Sequence, residues 1–506
     1  MNTLKNTMKY LYQQRWCNFK SEIVNNNVRN ITFDTVPLGE DKLIAIGKAE
    51  IQGEADRYFM MPLQRVSEGN DADTITLDGE NYKDAVEEKD FWSTLIKHIR
   101  ANGNTIEIPG GWRLEYSGMG KNDEAEKNQD AVSHPLNVEQ SNSTVIVEGE
   151  NAPIAFKLER MLAFSKDENP EFDMNKKLMR EECSVMPQTY GYFVLHNGNG
   201  EKASSGIVQE FIRNQGDMWN YSVNYIKQKL HQGFLTQTEL NEQNCPEFME
   251  LAAKLGQRTQ EMSDCFTKED NNPDFTPEPV DDKFLHIYLK QLEVLLRKTQ
   301  KNIADNLAFL SGATHTQAQN LLKNWNRLTS DFIQNQIEKI NKSEDKGTVC
   351  RVHGDFHLGQ VLVTENNDLK FIDFAGEPAL PIDQRKQKHI SVRDYAGMYR
   401  SLNGYLGAVA AEEFAAEANT PELAQRHKEY ARKAIKPLMH QATKAFLGKQ
   451  SLQNPWMSME IFRKNLYEVN YEVCHRPQMA YVPIEGLNNL LGGKPPVNTR
   501  NNGIEK

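Results

Sequence analysis

Near residue 214 the hydrophobic period of this 506-residue chain changes, and with it the kind of structure the chain can form. Before that point, apolar residues alternate in short runs bounded by turn residues: NITFDTVPL, KLIAIGKAEI and RYFMMPLQ, then TIEIP, WRLEYSG, NVEQSN, STVIVEG, PIAFKLERML and SGIVQEFI. A period of two puts one face of each run on a core, as half-buried strands require. Beyond it, apolar residues recur every three or four positions in NYSVNYIKQKL, FMELAAKLGQRTQEM, FLHIYLKQLEVLLRKTQKNIADNLAFL and TQAQNLLKNWNRLTSDFIQNQIEKI. That spacing makes the apolar stripe of amphipathic helices. Helical patterns interrupt the β-rich half at DFWSTLIKHIRA and NPEFDMNKKLMREEC. The expected fold is α+β and bilobal, because a chain of this length exceeds a single core. It divides into a cap subdomain over 1–103, a β-rich lobe over 104–213 and a mostly helical lobe over 214–506, a plan that suits a cleft between lobes.

Charge and cysteine usage narrow the function. With 59 basic against 70 acidic residues the net charge is −11, which disfavours a nucleic-acid backbone as partner and favours a small molecule. The six cysteines (Cys17, Cys183, Cys245, Cys265, Cys350, Cys474) form no C-x-x-C pair, so neither a zinc site nor a disulfide framework is indicated. No run of 18 apolar residues and no apolar leader in MNTLKNTMKYLYQQRW are present, so no membrane span and a cytoplasmic location are expected. The charge-rich stretches NDEAEKNQD and TKEDNNPDFTPEP read as solvated loops, and GGKPPVNTRNNGIEK as a frayed end.

The chemistry concentrates in RVHGDFHLGQVLV (351–363) and LKFIDFAGEP (369–378). β-prone runs at 361–364 and 369–372 flank a turn over Asn366, Asn367 and Asp368, so VLVTENNDLKFID reads as a hairpin. Folding it about Asn367 sets Gln360 opposite Phe374 and beside Asp373, with Asp355 in the loop that feeds the first strand. Two carboxylates and an amide oxygen in one small volume suit Mg²⁺, a hard cation that takes oxygen ligands and nucleotide phosphates. Protein kinases space the same groups alike: an aspartate that accepts the substrate hydroxyl proton, an amide five positions on, and a second aspartate before Phe-Gly. Gln360 in place of asparagine, and His-Gly-Asp in place of His-Arg-Asp, point to small-molecule phosphotransferases. His353 and His357 read as structural hydrogen-bonding groups.

The remaining parts of a kinase lie upstream in order. Lys157 is a cation in the apolar run IAFKLER, fit to meet nucleotide phosphates, with Asp173 or Glu171 on the following helix as its acid. Ser141, Asn142, Ser143 and Thr144 occupy the hairpin turn where a glycine-rich loop would offer backbone N–H groups to phosphate. Glu210, Phe211 and Ile212 fall where a lobe-connecting segment would meet adenine.

Taken with RWCNFK, QEFIRNQGDMW, LGQRTQEM, SVRDYAGMYRSL and LYEVNYEVCHRPQMAYVPIEGL, these motifs resemble, almost end to end, the bacterial maltokinases. These are ATP-dependent enzymes of the aminoglycoside-phosphotransferase-like, protein-kinase-like fold that phosphorylate maltose at its reducing-end anomeric hydroxyl. The resemblance implies Asp355 as catalytic base, Gln360 and Asp373 as metal ligands and Lys157 as phosphate-binding lysine. It also implies a sugar wall from Glu377, Tyr467, Tyr471, Glu472 and Arg476, with Glu468 beside the two tyrosines, in which rings pack on sugar C–H faces and charged groups meet hydroxyls. Arg393 and Asp394 read as structural, the aspartate capping a helix and bracing the catalytic loop. ATP, magnesium and maltose are the expected cofactors and substrate, with a place in glycogen synthesis and a link to trehalose- and maltose-converting enzymes. Ala375 stands where the family carries an acid and Ser263 where a histidine is common. Related kinases of the same frame act on glucosamine, so another sugar, or a nucleotide-binding scaffold without turnover, stays open.

Overall fold

The computed structural model describes residues 2–67, 73–119, 124–136, 142–377 and 380–492. The chain forms two compact units, Met1–Arg180 with Pro187–Ile212, and Glu181–Met186 with Arg213–Lys506.

The first unit is built on two antiparallel sheets. One runs Val28–Pro37, Lys42–Ile51, Arg57–Val66, Glu80–Asp84, Ile75–Leu77, with Met161–Leu162 added beside Arg57–Val66. The other has the order Thr105–Ile108, Trp112–Gly118, Thr189–His196, Lys202–Glu210, Ile154–Leu158, Ser143–Glu148, Val132–Pro135. The Phe91–Ala101 helix buries Phe91, Trp92, Leu95, Ile96 and Ile99, and Trp92 packs against Phe156 with ring centroids 5.3 Å apart. The strand TYGYFVLH (189–196) carries no clear alternation because its first five residues are buried on both faces. Most of NVEQSN, and the terminal tail, lie outside the described residues.

Arg160 joins the two sheets. It is fully buried, donates from Nε to Ser143 Oγ at 2.8 Å, pairs with Asp84, and stands 5.5 Å from the Trp16 ring. Its carbonyl accepts from Met60 N at 2.8 Å. A buried guanidinium is tolerated only where carboxylate, hydroxyl and ring replace its water.

In the second unit, long helices surround a small β element that carries the chemistry. The Pro246–Thr267 helix lies against Pro421–Leu447, and Pro455–His475 against Asp282–Asn306 and Gly312–Lys342. The stretch expected to be a solvated loop has a structural part: Phe275 is buried under the Arg351 guanidinium at 5.0 Å, and Glu278–Pro279 pairs with Thr348–Val349. An aromatic ring among acidic residues found a core site that the local charge pattern does not reveal.

The hairpin over 361–371 forms with a register two residues from the expected one. Val361 pairs with Phe371 and Val363 with Leu369, so Gln360 N–C=O reaches Ile372 rather than Phe374. The loop is Glu365–Asn366–Asn367, closed by Thr364 N donating to Asp368 O at 2.9 Å, and Asn367 takes the left-handed conformation at φ 58°. A three-residue loop ending in a left-handed residue is a standard hairpin closure, and asparagine suits it.

A glycine sets one helix crossing. A Cβ on Gly256 would lie 2.1 Å from the Phe446 carbonyl oxygen, in backbone that cannot rotate away. Gly256→Ala is expected to lower stability by about 1–3 kcal/mol, read as a lower urea midpoint at unchanged slope. An unchanged midpoint would show that the two helices are not held at this crossing.

Candidate active site

The loop before the hairpin is held by one buried carboxylate. Asp394 Oδ2 accepts from His353 N at 2.8 Å and Oδ1 from Gly354 N at 3.0 Å. Burial pushes the Asp394 carboxyl above its ordinary range, opposed by His353 and the two N–H donors. The aspartate therefore braces the loop, as the sequence reading has it, while the Arg393–Tyr399 helix takes no side-chain cap from it. His353 is fully buried, its Nε2 facing Ile372 O at 3.0 Å and its ring between Phe356 and Phe374 at 5.2 and 4.7 Å. Histidine here ties the catalytic loop to the strand that leads into Asp373.

Two left-handed residues shape the approach. Gly354 has φ 86°, and a Cβ there would sit 3.3 Å from Gly376 Cα. Asp373, at φ 67°, is a non-glycine in the same region, a cost seen where surrounding contacts impose the conformation. Gln360 Nε2 donates to Asp373 Oδ2 at 3.2 Å, so the two expected metal ligands stand side by side. Leu358 N donates to Ser401 Oγ at 3.1 Å, fixing the short turn that carries Gln360. Among the described residues no cluster of three or more His, Cys, Asp or Glu side chains is placed to hold a metal ion. One amide and one carboxylate fit an ion that draws its other ligands from phosphate and water.

Asp355 follows Gly354 and is partly exposed. Lys464 Nζ stands 3.6 Å from its Oδ1, and His357 Nε2 4.0 Å from its Oδ2. Gly359 N donates to His357 Nδ1 at 3.1 Å, which assigns the ring proton to Nε2, facing Asp355. Burial holds the His357 imidazole below its ordinary range, so the ring is neutral near pH 7.

Lys464 and His357 also line a cavity of about 440 Å³ in the second unit. Tyr467, Tyr471, Glu472 and Arg476, all expected in the sugar wall, line it as well. The first three lie on the Pro455–His475 helix and Arg476 is the residue that ends it; the helix's other face buries Met459, Phe462, Leu466, Val469 and Val473 in the core. Arg476 forks onto Glu472, Nη2 to Oε1 at 2.6 Å and Nε to Oε2 at 3.1 Å, and lies 5.1 Å from the Tyr471 ring. Burial, then Glu377 and Asp355, push Tyr467 up to about 12. The Glu377 carboxylate faces Arg393 at 3.9 Å and is not part of the cavity lining.

Glu468, set beside the two tyrosines in the sequence reading, is part of the lining, together with residues to which that reading gave no role. Glu468 is gripped by Arg400 through Nε at 2.9 Å and Nη2 at 2.7 Å. Asp217, Trp219, Ser401 and Tyr405 complete much of the wall. Lys464 precedes Tyr467 by three positions, so helical spacing could have found it; Ser401 and Tyr405 belong to a π-helical stretch, Arg400–Leu406, that no spacing rule announces.

In the first unit, Lys157 Nζ stands 3.6 Å from Glu171 Oε2, and Glu171 is nearly fully buried at the start of the Pro170–Arg180 helix. Asp173 is on the same first turn and half-buried. Asn142 lies in a bend, whereas Ser143 and Thr144 belong to the Ser143–Glu148 strand, where Ser143 Oγ serves Arg160. Ser141 lies outside the described residues. Glu210 exchanges hydrogen bonds with Gln188, its N donating to Gln188 O at 2.8 Å and its Oε2 accepting from Gln188 N at 3.2 Å. Phe211 N donates to Pro153 O at 3.2 Å, and Ile212 ends the first unit.

No protein-family model matches the chain. It is 25% identical over 356 residues, 70% of its length and 72% of the relative's, to a glucosamine kinase of Streptacidiphilus jiangxiensis. Its structure is similar to that of a glucosamine kinase in complex with glucosamine, ADP and inorganic phosphate, at a TM-score of 0.55 and 20% identity, covering 92% of this chain and 94% of that one. A second crystal form of a glucosamine kinase gives 0.56 at 18% identity, covering 92% and 95%. The fold is that of the kinase-like phosphotransferases. No helix of the described residues is long and apolar enough to cross a membrane.

The brace on the catalytic loop is open to a direct test. Asp394→Asn keeps one acceptor and turns an NH₂ group toward the other N–H, leaving a buried donor unmatched at a cost of about 1–3 kcal/mol. A lower Tm together with a loss of any phosphotransfer activity is expected; an unchanged Tm would show that the loop is braced elsewhere.

Proposed function

We propose that this chain transfers the γ-phosphoryl group of ATP to a small sugar, and that the sugar is maltose, taken at its reducing-end anomeric hydroxyl to give maltose 1-phosphate. The observation that carries this reading is the meeting of Asp355, through Lys464 and His357, with the cavity that Tyr467 and Tyr471 line. Two rings one helical turn apart offer two stacking platforms, in keeping with an acceptor of two hexoses. Glu468 and Glu472 each have an arginine partner, so the helix wall presents hydrogen-bonding groups without unbalanced negative charge, which suits a neutral sugar.

In this mechanism Asp355 orients the acceptor hydroxyl and takes its proton as the bond to phosphorus forms. Lys464 steers that carboxylate from one side, and the neutral His357 ring approaches it from the other. Gln360 and Asp373 would hold a magnesium ion, which neutralises phosphate charge when bound. Lys157, set by Glu171, would meet the nucleotide phosphates.

A second acceptor, glucosamine, is favoured by the resemblance to glucosamine kinases in sequence and fold. Asp217 gives it a physical basis: this lining carboxylate caps the Met218–Gly233 helix through Asn220 N at 2.9 Å and has no cation paired with it among the described residues. An ammonium group could supply that charge.

An acceptor panel read by ADP release decides between them. Maltose is expected to give the highest kcat/KM, and Asp217→Asn to leave it nearly unchanged; a preference for glucosamine that Asp217→Asn abolishes would replace the maltose reading. Asp355→Asn is expected to reduce kcat by roughly 10²- to 10⁴-fold with little change in sugar KM. Near-normal turnover in that variant would remove Asp355 from the chemistry.

A further inference from the structure

Cys183 and Cys265 lie 82 positions apart (265 minus 183) and take no part in the site described above. Cys183 is in Glu181–Met186, the short segment of the second unit that follows the Pro170–Arg180 helix. Cys265 is near the end of the Pro246–Thr267 helix. Arg258, Cys265 and Lys268 follow one another at seven and three residues, along a single helix face.

Partners from the segment meet that face on both sides of the cysteine. Lys268 Nζ stands 3.3 Å from Glu181 Oε2, and Arg258 Nη1 donates to Ser184 Oγ at 3.3 Å. The segment therefore runs antiparallel to the helix, and Cys183, between Glu181 and Ser184, comes onto Cys265. Each thiol acts on the other's titration, in keeping with this placement. Ser184 O accepts from Lys370 Nζ and Val185 O from Phe371 N, each at 2.6 Å, which fixes the segment from its other side. Cys183 is partly exposed, so an oxidant of small size reaches the pair.

The thiols are unequal. The Cys183 thiol, against burial and with help from the Lys268 ammonium, holds Cys265 below the usual thiol range. Cys265 in turn, then burial, pushes Cys183 up. Two thiols set side by side and unequal in acidity are the arrangement from which disulfides form.

We infer that Cys183 and Cys265 are a redox-active dithiol that closes to a disulfide in the folded protein and restrains the Glu181–Met186 segment. With hydrogen peroxide as oxidant, the Cys265 thiol sulfur takes one peroxide oxygen as the O–O bond breaks and becomes a sulfenic acid, its proton leaving with the other peroxide OH as the first water. The Cys183 sulfur then attacks that sulfur, the S–O bond breaks, the S–S bond forms and the second water leaves. Two thiols lose two electrons and two protons, and peroxide is reduced to water. The closed bridge fixes the chain between the Glu171 helix and the Thr189–His196 strand to the second unit, so turnover slows; this last consequence rests on the phosphotransferase reading.

The test treats the full-length protein with hydrogen peroxide and then with dithiothreitol. Oxidised wild type is expected to lose the mass of two hydrogens, to yield one proteolytic peptide pair linked through Cys183 and Cys265, to gain several degrees in Tm, and to release ADP several-fold more slowly with sugar. Dithiothreitol reverses all four changes. Cys183→Ser and Cys265→Ser, near-isosteric replacements, form no such link and keep their activity in peroxide. Absence of the linked peptide in wild type overturns the inference, as does a link with unchanged Tm and turnover. If the reduced protein turns over no sugar, the phosphotransferase reading fails, while the linked peptide and the Tm shift still decide the dithiol.

Discussion

The two hydrogen bonds into Asp394 are the constraint on which the geometry of the loop before the hairpin depends. They orient the His353 and Gly354 peptides, and so set where Asp355 points. His353 then reaches Ile372 O, passing the same constraint to the residue before Asp373. The near contact of Gly354 with Gly376 leaves no space for a side chain at the crossing of the two loops. The backbone on either side of the crossing is thus fixed by the Asp394 carboxylate and the His353 ring, which is how small displacements of the side chains it carries are kept small. A buried carboxylate is costly when unpaired, and two N–H donors offset much of that cost here.

The Pro455–His475 helix divides its faces between stability and chemistry. Its apolar face is core, and its polar face carries Lys464, Tyr467, Glu468, Tyr471 and Glu472 at the spacing of successive turns. Ion pairs with Arg400 and Arg476 hold the two glutamates in one rotamer each. Such pairs add little to stability, since desolvation opposes the Coulomb term, but they define the positions of hydrogen-bonding oxygens. The π-helical turn that supplies Arg400 also supplies Ser401, which holds the Gln360 turn. One irregular turn thereby touches both the cavity wall and the turn that carries Gln360.

Much of this was legible in the sequence, for reasons that differ by residue. Asp355, Gln360 and Asp373 stand out because a turn and two short strands allow few spacings, and Gln360 meets Asp373 even though the hairpin closes two residues away from the expected register. That difference lies in Asn367, whose left-handed conformation is one option among several for an Asn-Asn-Asp turn. The tyrosine pair was visible from its four-residue spacing. The pairing of Arg400 with Glu468, the burial of Phe275 and the meeting of Cys183 with Cys265 join residues far apart in the chain, and local periodicity holds no information about them. Ser143 shows the opposite failure: a polar run that looks like a phosphate loop lends one hydroxyl to a buried arginine in a strand.

Arg160 sits where the chain's history of assembly would be most exposed. Its guanidinium meets Asp84 from the first sheet, Trp16 from the turn after the Asn2–Gln13 helix and Ser143 from the second sheet. Removing the amino-terminal hundred residues, or grafting them onto another protein, would strand a positive charge in a dry interior. The amino-terminal sheet is therefore no detachable accessory, and any change in its size or partner has to carry this arginine and its aspartate together.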